Sequence, residues 1–168
     1  MIPRRCDMIV TRWGARFMGR RFPVSIGRGG LTDHKREGDG ATPRGTWRVV
    51  GGYYRPDRTI PPRAITLDRI GPRDIWSDDP EDPAYNHPLR TTTHPFSHER
   101  LRMTARLYDI VLISDWNYPY PTPGKGSAIF IHHWRKPRHP TAGCLAFAPK
   151  DLRWILDRWT EHSRIIVR

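Results

Sequence analysis

The chain has 168 residues, 37% hydrophobic and 27% charged, and its 29 lysines and arginines against 17 acidic residues give a formal net charge of +12. A chain of this length buries roughly two thirds of its unfolded surface, so one domain over residues 1–168 is expected to fold without a metal or disulfide staple. No uncharged apolar run reaches the ~20 residues of a membrane-crossing helix, and the only cysteines, Cys6 and Cys144, are too few for a disulfide framework or a cysteine-only zinc site.

Arg4 and Arg5 are followed by Asp7, Arg12 and Arg16, which interrupt any apolar core of an export signal. A cytoplasmic, reducing setting is therefore expected, with the periplasm as the alternative if a leader was removed. Turn-bounded strands are predicted at residues 7–13, 16–18 and 21–26, the last ending at Gly27, Gly29 and Gly30. The 14 glycines and 17 prolines punctuate the chain so often that no long helical pattern survives before residue 149. Further strands are predicted at 45–54, after the turn Gly38-Asp39-Gly40, and at 64–70. Residues 71–98 turn polar and proline-rich, with Asp78, Asp79, Glu81 and Asp82 among Pro80, Pro83, Pro88 and Pro95. They read as a long ordered loop or cover, packed through Trp76, Tyr85 and Phe96.

Residues 108–114 and 127–134 are strands by their apolar, β-branched runs, joined by a turn-rich segment, and 144–148 make a third. Pro149 suits the first turn of a helix, and Leu152, Ile155, Leu156 and Trp159 follow at helical spacing. A last strand closes the chain at 165–167. The predicted class is mainly β with one C-terminal amphipathic helix. Cys6, Trp13, Trp47, Trp154 and Trp159 are expected to be packing residues.

The positive charge raises nucleic acid as a partner. However, the basic residues are spread from Arg4 to Arg168 without a stripe or a nucleic-acid-binding motif, so no nucleic acid is expected and a basic binding module stays a rival reading. Chemistry concentrates instead around Cys144, in Thr141-Ala142-Gly143-Cys144-Leu145-Ala146, with His132 twelve positions earlier. A nucleophilic cysteine needs an imidazole or a positive field to populate its thiolate, and Gly143 lets the main chain approach a substrate closely enough for its N–H groups to hold an oxyanion. Zinc is the alternative, through His132, His133, His139 and Cys144. Adjacent strand residues point to opposite faces, which sets His132 and His133 apart and disfavours that site. No metal or cofactor is expected.

The run Ser127-Ala128-Ile129-Phe130-Ile131-His132 followed by Thr141-Ala142-Gly143-Cys144 resembles the active-site signature of the YkuD-type L,D-transpeptidases. Glu37-Gly38-Asp39-Gly40-Ala41-Thr42-Pro43-Arg44-Gly45, Asp78-Asp79-Pro80, Asp82-Pro83-Ala84-Tyr85-Asn86, Ser97-His98-Glu99-Arg100-Leu101 and Pro123-Gly124-Lys125-Gly126 are similar to blocks of a compact subgroup of that family, in the same order. The resemblance implies a mixed β-sandwich and a cysteine enzyme acting on peptidoglycan stem peptides. Cys144 is then the nucleophile, His132 its base, held by a main-chain carbonyl, and Gly143 with Cys144 the oxyanion donors.

Two departures stand out: His133 where many relatives have Gly, and Ala146 where many have Arg. Arg44, Arg135 and Arg138 are the candidate replacements for that cation. Thr141, Ala142 and His133 complete the expected substrate-binding set, with Tyr85 and His98 as pocket wall. The preferred expectation is an L,D-carboxypeptidase that removes the terminal D-alanine of a tetrapeptide during wall recycling. The alternative is periplasmic transpeptidation.

Overall fold

The computed structural model describes residues 2–168. Two five-stranded sheets face each other. The first runs, in spatial order, Arg20–Phe22, Gly14–Phe17, Met8–Thr11, Ile165–Val167 and Gly45–Trp47. The second runs Leu145–Phe147, Phe130–His133, Ile110–Ser114, Val49–Tyr54 and Asp68–Arg69. Between them lies the main core, in which Met8, Val10, Phe17, Trp47 and Ile165 meet Ile110, Leu112, Ile131, Leu145 and Phe147. The helix Pro149–Leu156 adds Leu152, Ile155 and Leu156 to that core. The architecture is the mainly β one expected, with one α-helix among the described residues, near the C-terminus, and a 3-10 turn at Arg106–Tyr108.

Residues 71–98 differ from the loop expected. They carry two strands, Asp74–Ser77 and Pro88–Arg90, which form a three-stranded sheet with His98–Arg100. Short strands interrupted by proline give no alternation long enough to read. This sheet caps the outer face of the second, where Trp76 and Leu101 pack with Val111, Ile113, Phe130 and Cys144. Ile110–Ser114 and Phe130–His133 are therefore buried on both faces, which explains their unbroken apolar runs. Of the four tryptophans expected to pack, Trp47 and Trp159 are core residues and Trp154 packs against them, while Trp13 is 72% exposed at the tip of the first hairpin. Cys6 is half-buried, and neither cysteine is bridged.

The first strand pairs in parallel with the last, Met8–Thr11 with Ile165–Val167. Asp7 reinforces that seam by accepting hydrogen bonds from Arg164 Nε at 3.0 Å and Nη2 at 2.6 Å. The Arg164 guanidinium holds the Asp7 carboxyl at about 2, below its ordinary value. A carboxyl whose pKa falls on folding contributes stability that is complete above the unfolded value and is lost as pH falls through the folded one. Asp7→Asn is expected to cost about 2 kcal/mol at pH 7. The difference from wild type should shrink toward zero as the pH drops from 4 to 2, and urea unfolding across that range checks it.

Candidate active site

Strand Phe130–His133 lies parallel to Leu145–Phe147, with Ile131 opposite Leu145 and His132 opposite Ala146. That register sets Cys144 beside Phe130, one diagonal step from His132 on the same face of the sheet. His133 falls on the other face. Cys144 and His132 line one cavity of about 610 Å³, so the strand-loop-strand return brings the two side chains together.

The turn that presents Cys144 is tied down from far away in sequence. Gly143 has φ +142°, and a Cβ there would stand 2.9 Å from the Ala41 carbonyl oxygen, so only glycine fits. Thr42 Oγ1 donates to the Gly143 carbonyl at 2.8 Å and accepts from Gly27 N–H at 2.8 Å. Thr141 Oγ1 donates to the Cys144 carbonyl at 2.7 Å, and the Gly143 N–H donates to that same hydroxyl at 3.2 Å. Beneath the turn runs the buried side chain of Lys35, whose ammonium bonds the Asp39 carboxylate and whose stem crosses Gly126.

Burial disfavours charge on both Cys144 and His132. Cys144 Sγ donates to the Ala128 carbonyl at 3.1 Å and accepts from Phe130 N–H at 3.4 Å. Burial, and secondarily the Glu99 carboxyl, push the thiol up to about 12. Burial also lowers His132 to about 4. The His132 Nδ1–H donates to the His133 carbonyl at 2.7 Å, which leaves Nε2 unprotonated and able to accept a proton. Burial thus works against the thiolate that a nucleophilic cysteine needs, and outweighs the weak positive influence of Lys35.

A family model for the L,D-transpeptidase catalytic domain, YkuD, matches residues 9–167. The chain belongs to the YkuD family. Among solved structures it is similar to an L,D-transpeptidase from Mycobacterium smegmatis, with 13% identity and a TM-score of 0.45. That match covers 98% of this chain and 58% of the other, so the chain spans little more than half the length of that protein. No curated protein matches it.

Within this YkuD domain, Thr141, Ala142 and Arg135 line the cavity with Cys144 and His132. Five other candidates stand elsewhere. Strand alternation turns His133 away, and Arg44 pairs with Asp33 at 3.5 Å. Arg138 reaches the Trp13 carbonyl at 3.5 Å and lines a separate cavity. Tyr85 is buried, its hydroxyl donating to Glu37 Oε2 at 2.5 Å. His98 stacks edge-on to His94 and faces another depression beside Arg73 and Thr93.

Four residues contribute without having been expected. Arg28 and Arg100 line the cavity, as does Glu99, whose carboxylate accepts from Tyr108 at 2.6 Å. The Tyr108 ring packs edge-on to His132, 5.2 Å between centroids, and so braces the imidazole. Glu99 carries no sequence mark of this role, because the strand His98–Arg100 that turns it opposite to His98 is too short to read from a pattern.

Proposed function

We propose that this domain is an L,D-carboxypeptidase, and the observation that carries the reading is the thiol and imidazole sharing one cavity. Cys144 is the nucleophile and His132 its general base. Because burial disfavours charge on the pair, the thiol proton passes to His132 Nε2 as sulfur attacks the carbonyl of the diamino acid at stem position three. N–H groups of the Gly143–Cys144 turn take the developing oxyanion, with Thr141 yielding the Gly143 N–H. His132 then returns the proton to the departing D-alanine amine, and water, activated by the same imidazole, opens the thioester.

Charge on the cavity wall supports this substrate class. Arg28, Arg100 and Arg135 offer guanidinium groups to the carboxylates of the peptide. Glu99 offers a carboxyl group to the amine of the diamino acid, and Met103, Leu107 and Pro140 supply apolar surface. None of this requires a second peptide site, since water is the acceptor.

Purified protein incubated with a disaccharide-tetrapeptide is expected to yield the tripeptide and free D-alanine in equal amounts, by mass spectrometry. Cross-linked dimer or D-amino-acid exchange without net tripeptide assigns the transferase reaction instead. No turnover of either kind, together with nucleic-acid binding, returns the basic-module reading.

A further inference from the structure

A second cavity, of about 590 Å³, opens on the outer face of the first sheet and shares no lining residue with the one around Cys144. Arg16, Arg21, Arg138 and Arg168 line it, with Trp13, and no acidic residue does. The strand register explains part of this. Ile9, Arg16 and Arg21 stand directly opposite one another across three adjacent strands, which sets two arginines as cross-strand neighbours on one face of the sheet. Like charges in that position weaken a sheet. Arg16 and Arg21 nonetheless have no carboxylate partner among the described residues.

Trp13 forms the rim. It is 72% exposed, and the Arg12 guanidinium lies 4.3 Å from its ring centroid. Arg138, in left-handed conformation at φ +56°, reaches across to the Trp13 carbonyl at 3.5 Å and closes one end. Guanidinium groups match phosphate oxygens in pairs, and an exposed indole accepts the face of a base. The volume falls within the range of small-molecule sites.

We propose that this cavity binds a nucleoside diphosphate, with the phosphates between Arg16, Arg21 and Arg138 and the base on Trp13. The site is independent of the chemistry at Cys144. Calorimetric titration of the whole protein at physiological salt tests it, using ADP and UDP as probes, with inorganic pyrophosphate, the free nucleosides and a single-stranded oligonucleotide alongside.

Saturable binding of ADP or UDP is expected in the range of about 10 to 100 μM, with pyrophosphate at least about tenfold weaker and nucleosides weaker still. Arg16→Glu should weaken the nucleotide at least about tenfold while leaving the melting temperature no lower, because it places a carboxylate opposite Arg21. Arg63→Glu changes the net charge equally at another exposed position and should change binding less than about twofold. The proposal is overturned if neither nucleotide saturates, if pyrophosphate binds as tightly, if the two variants weaken binding alike, or if only the oligonucleotide binds.

Discussion

Replacing Cys144 by alanine is expected to abolish D-alanine release from a tetrapeptide, a loss of about 10⁴-fold or more, since no other thiol lines the cavity. Glu99 is the nearest alternative carboxyl, but it is engaged by Tyr108. The variant should remain folded. Alanine keeps the Cβ against Phe130 and gives up only the weak contacts of sulfur with the Ala128 carbonyl and Phe130 N–H, a loss of about 1 kcal/mol. Circular dichroism and peptide mass spectrometry on the same sample separate lost chemistry from lost structure. Turnover by the folded variant would move the nucleophile elsewhere and sink the mechanism.

Alkylation of Cys144 by iodoacetamide in the free protein should be slow at neutral pH, about a thousandfold slower than for an unperturbed cysteine. The sign follows from the thiol pKa of about 12. At pH 7 only a trace is thiolate, and the rate should climb about tenfold for each pH unit between 7 and 10 without levelling. Since Cys6 is also a free thiol, a Cys6→Ser background isolates the signal. A plateau with its midpoint near pH 6 or 7 would mean a standing thiolate-imidazolium pair, and the proton would then leave before sulfur attacks. A slow, rising profile instead means that the substrate, by excluding water and offering a carbonyl, triggers the transfer.

What could be read from residues alone divides along physical lines. The strands around residues 110–114 and 130–133 and the helix starting at Pro149 were legible because burial writes itself into apolar runs and periodicity. The covering sheet was not, since strands of three or four residues leave too short a pattern. In the site, Cys144 and His132 announced themselves by motif. The arginines did not, because an exposed guanidinium carries no sequence mark of its direction. Of Arg44, Arg135 and Arg138, singled out by nearness to a motif, Arg135 alone lines the cavity. Arg28 arrives instead from a segment more than a hundred residues before the cysteine, held alongside it when its N–H donates to the Thr141 carbonyl at 2.8 Å. Lys35 was equally silent, its place beneath Gly143 set wholly by tertiary packing.

The two strands that carry the imidazole and the sulfur lie side by side and run the same way, so their spacing is fixed by the ladder between them and not by the chain that links them. Trp134 still belongs to that ladder, its N–H donating to the Phe147 carbonyl at 2.9 Å, so residues 135–140 are the part of the link that can change composition without moving the cysteine and the histidine. Arg135, His139 and Pro140 on that link form the mouth over the cysteine. Selection, or a library of substitutions at the surface, can thus remodel the mouth of the cavity while Cys144 and His132 stay in register.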